Sequence, residues 1–140
     1  MKCASRVVRI ATKGRGLYDV TDEVRRFVND EAIATGLCSV FVRHTSASLV
    51  IQENADPSVL RDLERWMAHL APEDSAAYEH DDEGPDDMPG HLRSAVTRSS
   101  ETVPIAGGTL LLGTWQAIYL WEHRRAAHSR EVVLTVMGEE

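Results

Sequence analysis

Apolar residues alternate or cluster along much of the chain in the way that β-strands require. Residues 5–12 alternate around Val8 and Ile10, and residues 37–43 form a run of β-branched and aromatic side chains. The alternation predicts a half-buried strand, and the apolar run predicts a buried one. Further strands are predicted over residues 48–52, 102–105, 109–112, 115–122 and 131–137, and Gly107 and Gly108 predict a hairpin turn between the second and third of these.

Helical spacing marks three other segments. A first helix is predicted between Thr21, a good N-cap, and Gly36, a natural stop. A second begins at Asp56 and Pro57, a capping carboxylate followed by a first-turn proline. A third, short helix is predicted over residues 91–98. Because helices are mixed with several adjacent strands near the end of the chain, the pattern predicts an α+β fold with mixed or antiparallel sheets.

The composition fits one compact domain over residues 1–140. Hydrophobic residues make up 43% and charged residues 26% of the chain, which argues against disorder. The formal net charge of -7 repels phosphate backbones, so no nucleic-acid partner is expected. The sequence contains no apolar run of signal-peptide or membrane-span length. We therefore expect a cytoplasmic protein without a membrane partner.

Three histidines are the best candidates for chemistry, because neutral imidazole is the commonest side-chain ligand for zinc-like ions. His44 ends a hydrophobic strand, and His80 lies within an acidic segment over residues 72–90. His91 begins the predicted third helix. We predict that the three rings hold one divalent metal ion, expected to be zinc, with an open coordination position. Their spacing matches no compact motif, so a solvated or hydrogen-bonded histidine is the alternative at each position, and a solvated loop is the alternative for the acidic segment.

Motifs for other chemistries are incomplete or absent. Asp81, Glu83 and Gly84 fit part of a calcium-loop pattern, but its twelfth position falls on Gly90, where a bidentate glutamate is required. Ser46 and Ser48 lie near His44, but the sequence has no GxSxG turn for a nucleophilic serine. It also has no phosphate-binding loop and no GxGxxG motif. Nucleophilic catalysis and nucleotide binding therefore have no support from motifs.

Several sequence blocks together resemble the YjbQ-like family, and their order and spacing cover nearly the whole chain. The block Gly113-Thr114-Trp115-Gln116, at its distance from an upstream glycine, is the most specific of them. The other blocks are His44-Thr45-Ser46-Ala47-Ser48, Glu53-Asn54-Ala55-Asp56-Pro57, Tyr78-Glu79-His80-Asp81-Asp82-Glu83 and Gly90-His91-Leu92-Arg93-Ser94.

The resemblance implies a compact α+β fold that assembles as a homotrimer. It also implies a histidine pocket near the subunit boundary that often holds a zinc-like ion, with its histidines at His44, His80 and His91. Glu122 and Arg130 match later acidic and basic positions of the family, and Arg93 stands where the family has a lysine. Some members are labelled secondary thiamine-phosphate synthases, which implies weak activity on phosphorylated pyrimidine and thiazole substrates.

Our first functional hypothesis is an enzyme whose metal ion polarises a phosphate or a water molecule. Asp82 or Glu122 would accept a proton or support the ligands, and Arg93 or Arg130 would hold an anionic group of a small phosphorylated molecule. The predicted substrate-binding set is completed by Thr45, Ser46, Thr114, Trp115 and Gln116. Two alternatives remain open: a non-catalytic trimeric module that binds a small anion or metal, and a purely structural trimer that holds no metal.

Overall fold

A computed structural model describes the backbone of residues 1–140 and every side chain except that of Ser75. In chain order, the elements are β1 (Lys2–Thr12), β2 (Gly16–Asp19), α1 (Thr21–Asp30), β3 (Thr35–Val42), β4 (Ala47–Glu53), α2 (Pro57–Leu70), α3 (Asp87–Val96), β5 (Ser100–Ala106), β6 (Thr109–Leu110), β7 (Gln116–Glu122) and β8 (His128–Glu139). A short 3₁₀ turn, Ser75–Ala77, lies between α2 and α3.

The strands form two antiparallel sheets. One has five strands in the order β1-β8-β3-β5-β6, and the other has three in the order β2-β7-β4. Helix α1 buries Val24, Phe27 and Val28, which join apolar residues from strands of both sheets in one core. Burying a side chain such as Phe27 contributes roughly 1.5–3 kcal/mol to the stability of the fold. Because both sheets contribute side chains to this core, its packing holds the two sheets together. The predicted α+β single domain is confirmed.

Strand β8 is the longest strand and lies between β1 and β3 in the larger sheet. It pairs with β1 from Lys2↔Gly138 to Thr12↔His128, and with β3 from Thr35↔Glu139 to Val42↔Val132. Gly36 and Gly138 face each other in this ladder. A Cβ atom built on Gly36 would lie 2.2 Å from the carbonyl oxygen of Met137, so only glycine permits the observed approach of the strands.

The prediction that Gly36 ends the first helix is therefore wrong. Helix α1 ends at Asp30, and the chain turns at Ala32, which has a positive φ of 54°. Thr21 is also not the N-cap, which is Val20 without a side-chain cap. Instead, the Oγ1 atom of Thr21 accepts a hydrogen bond of 2.9 Å from the backbone N–H of Ile118, which ties α1 to β7.

The third helix begins four residues earlier than predicted, at Asp87 rather than His91. Pro89 lies within the acidic segment over residues 72–90, but a proline in the first turn of a helix removes only an N–H group that has no partner within the helix, so α3 can begin before it. Strand β2 was not predicted, because it has only four residues and begins at Gly16, within a stretch whose two glycines, Gly14 and Gly16, are typical of a turn. The other predicted strands are present, with ends that differ from the predicted ones by up to a few residues.

Helix α2 begins as predicted, since the Asp56 carboxylate accepts the backbone N–H of Ser58 at 2.9 Å. The helix is only shallowly packed, because Met67 alone is fully buried among its described side chains. Trp66 and Leu70, both apolar, are 57% and 50% exposed. Among the described residues, no helix is both long enough and apolar enough to cross a membrane.

The outer face of the five-stranded sheet carries an apolar patch that is open to solvent. Val7 and Phe41 both lie opposite Val133, and Leu37 lies opposite Met137. Val7, Phe41, Leu37 and Met137 are each 45–49% exposed. The sheet thus buries one face in the core and exposes this apolar patch on its other face, which we call the outer sheet face.

Candidate metal centre

Two histidines and two carboxylates converge where the acidic segment enters α3. Asp87 and His91 lie one turn apart on α3, and His80 and Glu83 come from the segment before it. One potential ligand atom from each of the four residues lies within 4.8 Å of the others. The Nε2 atom of His80 is 2.7 Å from Oδ2 of Asp87 and 3.2 Å from Oε2 of Glu83. We call these four residues the cluster.

The orientation of His91 is fixed by the backbone. Its Nδ1 atom lies 3.2 Å from the carbonyl oxygen of Thr45, which can only accept a hydrogen bond, so Nδ1 carries the proton. The unprotonated Nε2 atom of the neutral ring then faces Oδ2 of Asp87 at 3.1 Å. Two electron-rich atoms at this distance need a cation between them, either a second proton on the ring or a metal ion.

Arg124 and Arg125 hold the acidic start of α3 in place. The guanidinium of Arg124 donates to Oδ1 of Asp87 at 2.6 Å and to Oδ2 of Asp86 at 3.1 Å. The backbone N–H of Arg125 also donates to Oδ2 of Asp86, at 2.8 Å. Asp87 therefore presents one oxygen to Arg124 and the other to the two histidines, an arrangement typical of supported metal ligands.

The charges in the cluster favour a cation. Burial alone would raise the pKa of Asp87, but the hydrogen bond from His80 and the charge of Arg124 lower it below its usual range. The pKa of His80 is raised, chiefly by its hydrogen bond to Asp87. At neutral pH, Asp87 is therefore an anion whose nearest imidazoles both direct a nitrogen toward it.

The structure brings together only two of the three histidines that we predicted as ligands. His44, just beyond β3, lies outside the cluster, since its Nε2 atom accepts a hydrogen bond of 2.7 Å from the backbone N–H of Glu131. Burial, followed by the charge of Arg130, lowers the pKa of His44. The ring lines an open cleft of about 310 Å³ beside His91, together with Thr45, Ser94, Ala95 and Ser99.

Glu122 and Arg130 form a buried ion pair and do not line the cleft. Glu122 is fully buried, and its carboxylate accepts hydrogen bonds from Thr12 at 2.7 Å and from Arg130 at 2.7 and 2.5 Å. The guanidinium of Arg130 also donates to Oγ of Ser46 at 3.0 Å. These contacts use the groups that we predicted for proton transfer and substrate binding, so they indicate a structural role for Glu122, Arg130 and Ser46.

The remaining predicted site residues lie in three different places. Asp82 is beside the cluster, with Oδ1 3.6 Å from Nδ1 of His80. Arg93 is 2% exposed and donates to the carbonyl oxygen of Ala71 at 3.2 Å, so its charge is turned into the protein. Thr114, Trp115 and Gln116 are exposed at the start of β7.

Strand β7 separates the Thr114–Gln116 block from the cluster. The block is held by Asn54, whose side chain donates to the carbonyl oxygen of Thr114 at 3.2 Å. Arg124, which contacts Asp87, follows the other end of β7. Since a strand rises about 3.3 Å per residue, the two ends of β7 lie roughly 20 Å apart. Within one chain, the block and the cluster therefore do not line one pocket.

Asp87 and Glu83 were missed by the sequence interpretation. The signal for Asp87 is present as spacing, because it precedes His91 by four residues, and this separation puts two side chains on one face only if the segment is helical. Glu83 follows His80 by three residues, but this pair lies before α3 and outside any helix, so helical spacing could not have identified Glu83. Because we expected a loop up to Gly90, the spacing of Asp87 and His91 carried no meaning.

The fold and the cluster together define a small α+β protein with a histidine–carboxylate centre at the start of a helix. A family model described as UPF0047 protein YjbQ-like matches residues 6–139, and the chain belongs to this family. A UPF0047 protein from Synechocystis is 54% identical over 95% of this chain and 90% of its own length. UPF0047 protein YjbQ from Salmonella typhimurium is 44% identical over 96% of this chain and 97% of its own length.

Solved structures support the same assignment. A conserved hypothetical protein from Thermus thermophilus has a TM-score of 0.84 and 32% identity, and the match covers 94% of this chain and 99% of that one. A YbjQ-like protein of unknown function from Sulfolobus solfataricus has a TM-score of 0.86 over 99% of this chain and 100% of that one. Its identity is 24%, so this second likeness supports the fold alone.

Proposed function

We propose that this protein binds a divalent metal ion, with zinc expected, through the cluster of His80, Glu83, Asp87 and His91. The observation that carries this assignment is the contact between the Nε2 atom of His91 and Oδ2 of Asp87. The backbone of Thr45 holds a proton on the other nitrogen of His91, so in the neutral ring the lone pair of Nε2 is directed into the cluster. Two nitrogen and two oxygen ligands form a donor set that zinc accepts.

A bound ion would remain accessible from solvent. Asp87 is buried, whereas the side chains of His80, Glu83 and His91 are 42%, 62% and 34% exposed. A site that is closed on one side and open on the other leaves room for a water molecule or a substrate oxygen on the metal. Such an ion supplies Lewis-acid chemistry, and Asp82 is placed to support His80 through its Nδ1 atom.

Metal binding is tested by zinc titration of the chelator-treated protein, with stoichiometry read by elemental analysis. We expect close to one zinc per chain, and a large loss in the Asp87→Asn and His91→Ala variants. His69→Ala is the matched control, because His69 is exposed on α2 and contacts only the carbonyl oxygen of Arg65. The metal centre is refuted if the wild-type protein takes up no zinc, or if Asp87→Asn and His91→Ala retain it fully.

For the activity, we propose weak thiamine-phosphate synthase chemistry, in which the ring nitrogen of a thiazole phosphate attacks the carbon of a pyrimidine that bears a diphosphate, and the bond from that carbon to pyrophosphate breaks. Arg93 and Arg130 are buried and Arg124 is paired with carboxylates, so the metal would carry most of the positive charge that the leaving group needs. The alternative is a binding module without turnover. Product formation by the zinc-loaded protein, compared with Asp87→Asn, separates the two, and equal rates in both proteins would exclude catalysis at the cluster.

We also propose that the outer sheet face is covered by further copies of the chain in a homotrimer. Val7, Leu37, Phe41 and Met137 form an apolar surface of the kind that self-association buries, and Trp66 and Leu70 of α2 add further exposed apolar area. A neighbouring copy could also bring its Thr114–Gln116 block to the cleft beside the cluster. Light scattering should give three times the chain mass, and Phe41→Glu should reduce it. A monomer at micromolar concentration would contradict the trimer.

A further inference from the structure

His44 lies beside the cluster without belonging to it, and its own protonation pattern is fixed by the fold. His44 lies two residues after the end of β3, and its Nε2 atom is 2.7 Å from the backbone nitrogen of Glu131 in β8. A backbone N–H can only donate, so Nε2 must be the acceptor and cannot carry a proton. In the neutral ring, the single proton therefore resides on Nδ1.

The neutral form of His44 is favoured by its surroundings. Burial lowers its pKa, and the charge of Arg130 lowers it further, although Glu131 and Glu122 act in the opposite direction. Protonating Nε2 would also break the hydrogen bond to Glu131. At neutral pH, His44 thus offers one N–H donor, on Nδ1, and has no lone pair free for a metal ion.

The Nδ1 atom has no hydrogen-bond partner among the described protein groups, and it is not sealed from solvent. His44 lines the open cleft of about 310 Å³, and His91 of α3 lines the same cleft. The remaining lining residues are Thr45, Ser94, Ala95 and Ser99. The cleft lining thus contains three hydroxyl groups and no carboxylate, although the neighbouring segment is rich in acids.

We propose that His44 is a ligand-binding N–H donor of fixed tautomer and not a metal ligand. Its partner is an oxyanion, a phosphoryl or carboxylate group, that occupies the cleft with one oxygen toward the metal ion and another toward Nδ1 of His44. This assignment rests on the proposed metal centre, because a neutral cleft without a bound cation has little attraction for an anion. It differs from a three-histidine site in a measurable way, since removing His44 should leave the metal in place.

The first experiment separates metal binding from anion binding with the His44→Gln variant. Glutamine retains an acceptor for the N–H of Glu131 but does not reproduce the ring Nδ1 donor. We expect zinc stoichiometry equal to wild type in His44→Gln and a loss in His91→Ala. Inorganic phosphate and acetate, titrated separately into zinc-loaded protein, show which oxyanion is preferred. Affinity for the preferred one should fall at least tenfold in His44→Gln, whose folding is checked by near-ultraviolet circular dichroism.

Three results of these titrations would overturn the donor role. They are loss of zinc from a folded His44→Gln variant, equal oxyanion affinity in the variant and the wild type, and no oxyanion binding to the zinc-loaded wild type. A wild-type protein that takes up no zinc overturns the metal centre itself and, with it, this role of His44. The two failures are therefore distinguishable.

The second experiment needs no variant. Long-range proton–nitrogen correlation spectra of protein labelled with ¹⁵N-histidine report which ring nitrogen carries the proton. We expect His44 to show the Nδ1–H tautomer in the metal-free protein and to retain it after zinc is added, while the nitrogen signals of His80 and His91 change. A proton on Nε2 of His44, or loss of its Nδ1 proton on adding zinc, would contradict the proposal.

Discussion

Arg124 and Asp87 form an ion pair, with the guanidinium nitrogen 2.6 Å from Oδ1 of the carboxylate. Asp87 is almost fully buried, and its other oxygen lies between His80 and His91. Arg124 follows β7 by two residues, so the end of a central strand fixes the carboxylate at the start of α3. The rigid sheet is thereby linked to the most exposed and acidic part of the chain.

This ion pair predicts that Arg124 sets the metal affinity without touching the metal. Arg124→Gln should weaken zinc binding by about tenfold to a hundredfold, because supporting partners of metal ligands typically have effects of that size. Arg125→Gln is the control, since the guanidinium of Arg125 pairs with Glu73 and its contact to Asp86 is through the backbone. Competition with a chelator of known affinity measures both variants. Equal losses in the two variants would mean that general surface charge, and not the hold on Asp87, is responsible.

The buried ion pair of Glu122 and Arg130 predicts that replacing Glu122 has a large effect on stability. Glu122→Gln should lower the free energy of unfolding by about 3–5 kcal/mol, because it leaves the buried charge of Arg130 without its partner. Glu131→Gln provides a matched control on the next strand, since Glu131 pairs with Arg43 where both side chains are partly exposed. Glu131→Gln should lower the free energy of unfolding by less than about 1 kcal/mol. Urea unfolding measures both, and a similar loss in the two variants would refute the interior role of Glu122.

Most of the secondary structure could be predicted from the sequence because it depends on local patterns. The Asp56–Pro57 start of α2 and the alternation in β1 are local, and both were predicted. The contacts that make the candidate site are not local. Whether His44 faces a metal ion or the N–H of Glu131 depends on the ladder between β3 and β8, which joins residues almost 90 positions apart. Burial of Arg93 and Glu122 likewise follows from packing between elements.

The backbone contact at Gly36 predicts a position where alanine is not tolerated. Gly36→Ala should prevent the native pairing of β3 and β8, since its Cβ atom would lie 2.2 Å from the carbonyl oxygen of Met137. Gly107→Asn is the control, because Gly107 lies in an exposed hairpin turn. Its φ of 58° is one that asparagine adopts, and no atom lies within 4 Å of the added Cβ. We expect Gly36→Ala to be largely insoluble or unfolded by circular dichroism, and Gly107→Asn to fold. A folded Gly36→Ala protein of unchanged stability would contradict the observed register.

The buried imidazole of His123 predicts that stability falls in mild acid. The ring is 1% exposed, its Nε2 atom lies 2.8 Å from Oγ of Ser48, and burial and then the charge of Arg93 lower its pKa to about 3. In the unfolded chain, the pKa of a histidine is about 6.5. Between these values the unfolded state binds a proton that the folded state does not. The free energy of unfolding should therefore fall by about 1 kcal/mol for each pH unit below 6.5, whereas above pH 6.5 this residue adds no pH dependence.

Urea unfolding measured from pH 7.5 to pH 5 tests this prediction. His123→Gln should remove the part of the pH dependence that His123 contributes, whereas His69→Gln, on the exposed face of α2, should leave the pH dependence unchanged. An identical slope in wild type and His123→Gln would show that the ring of His123 is able to take up a proton in the folded protein.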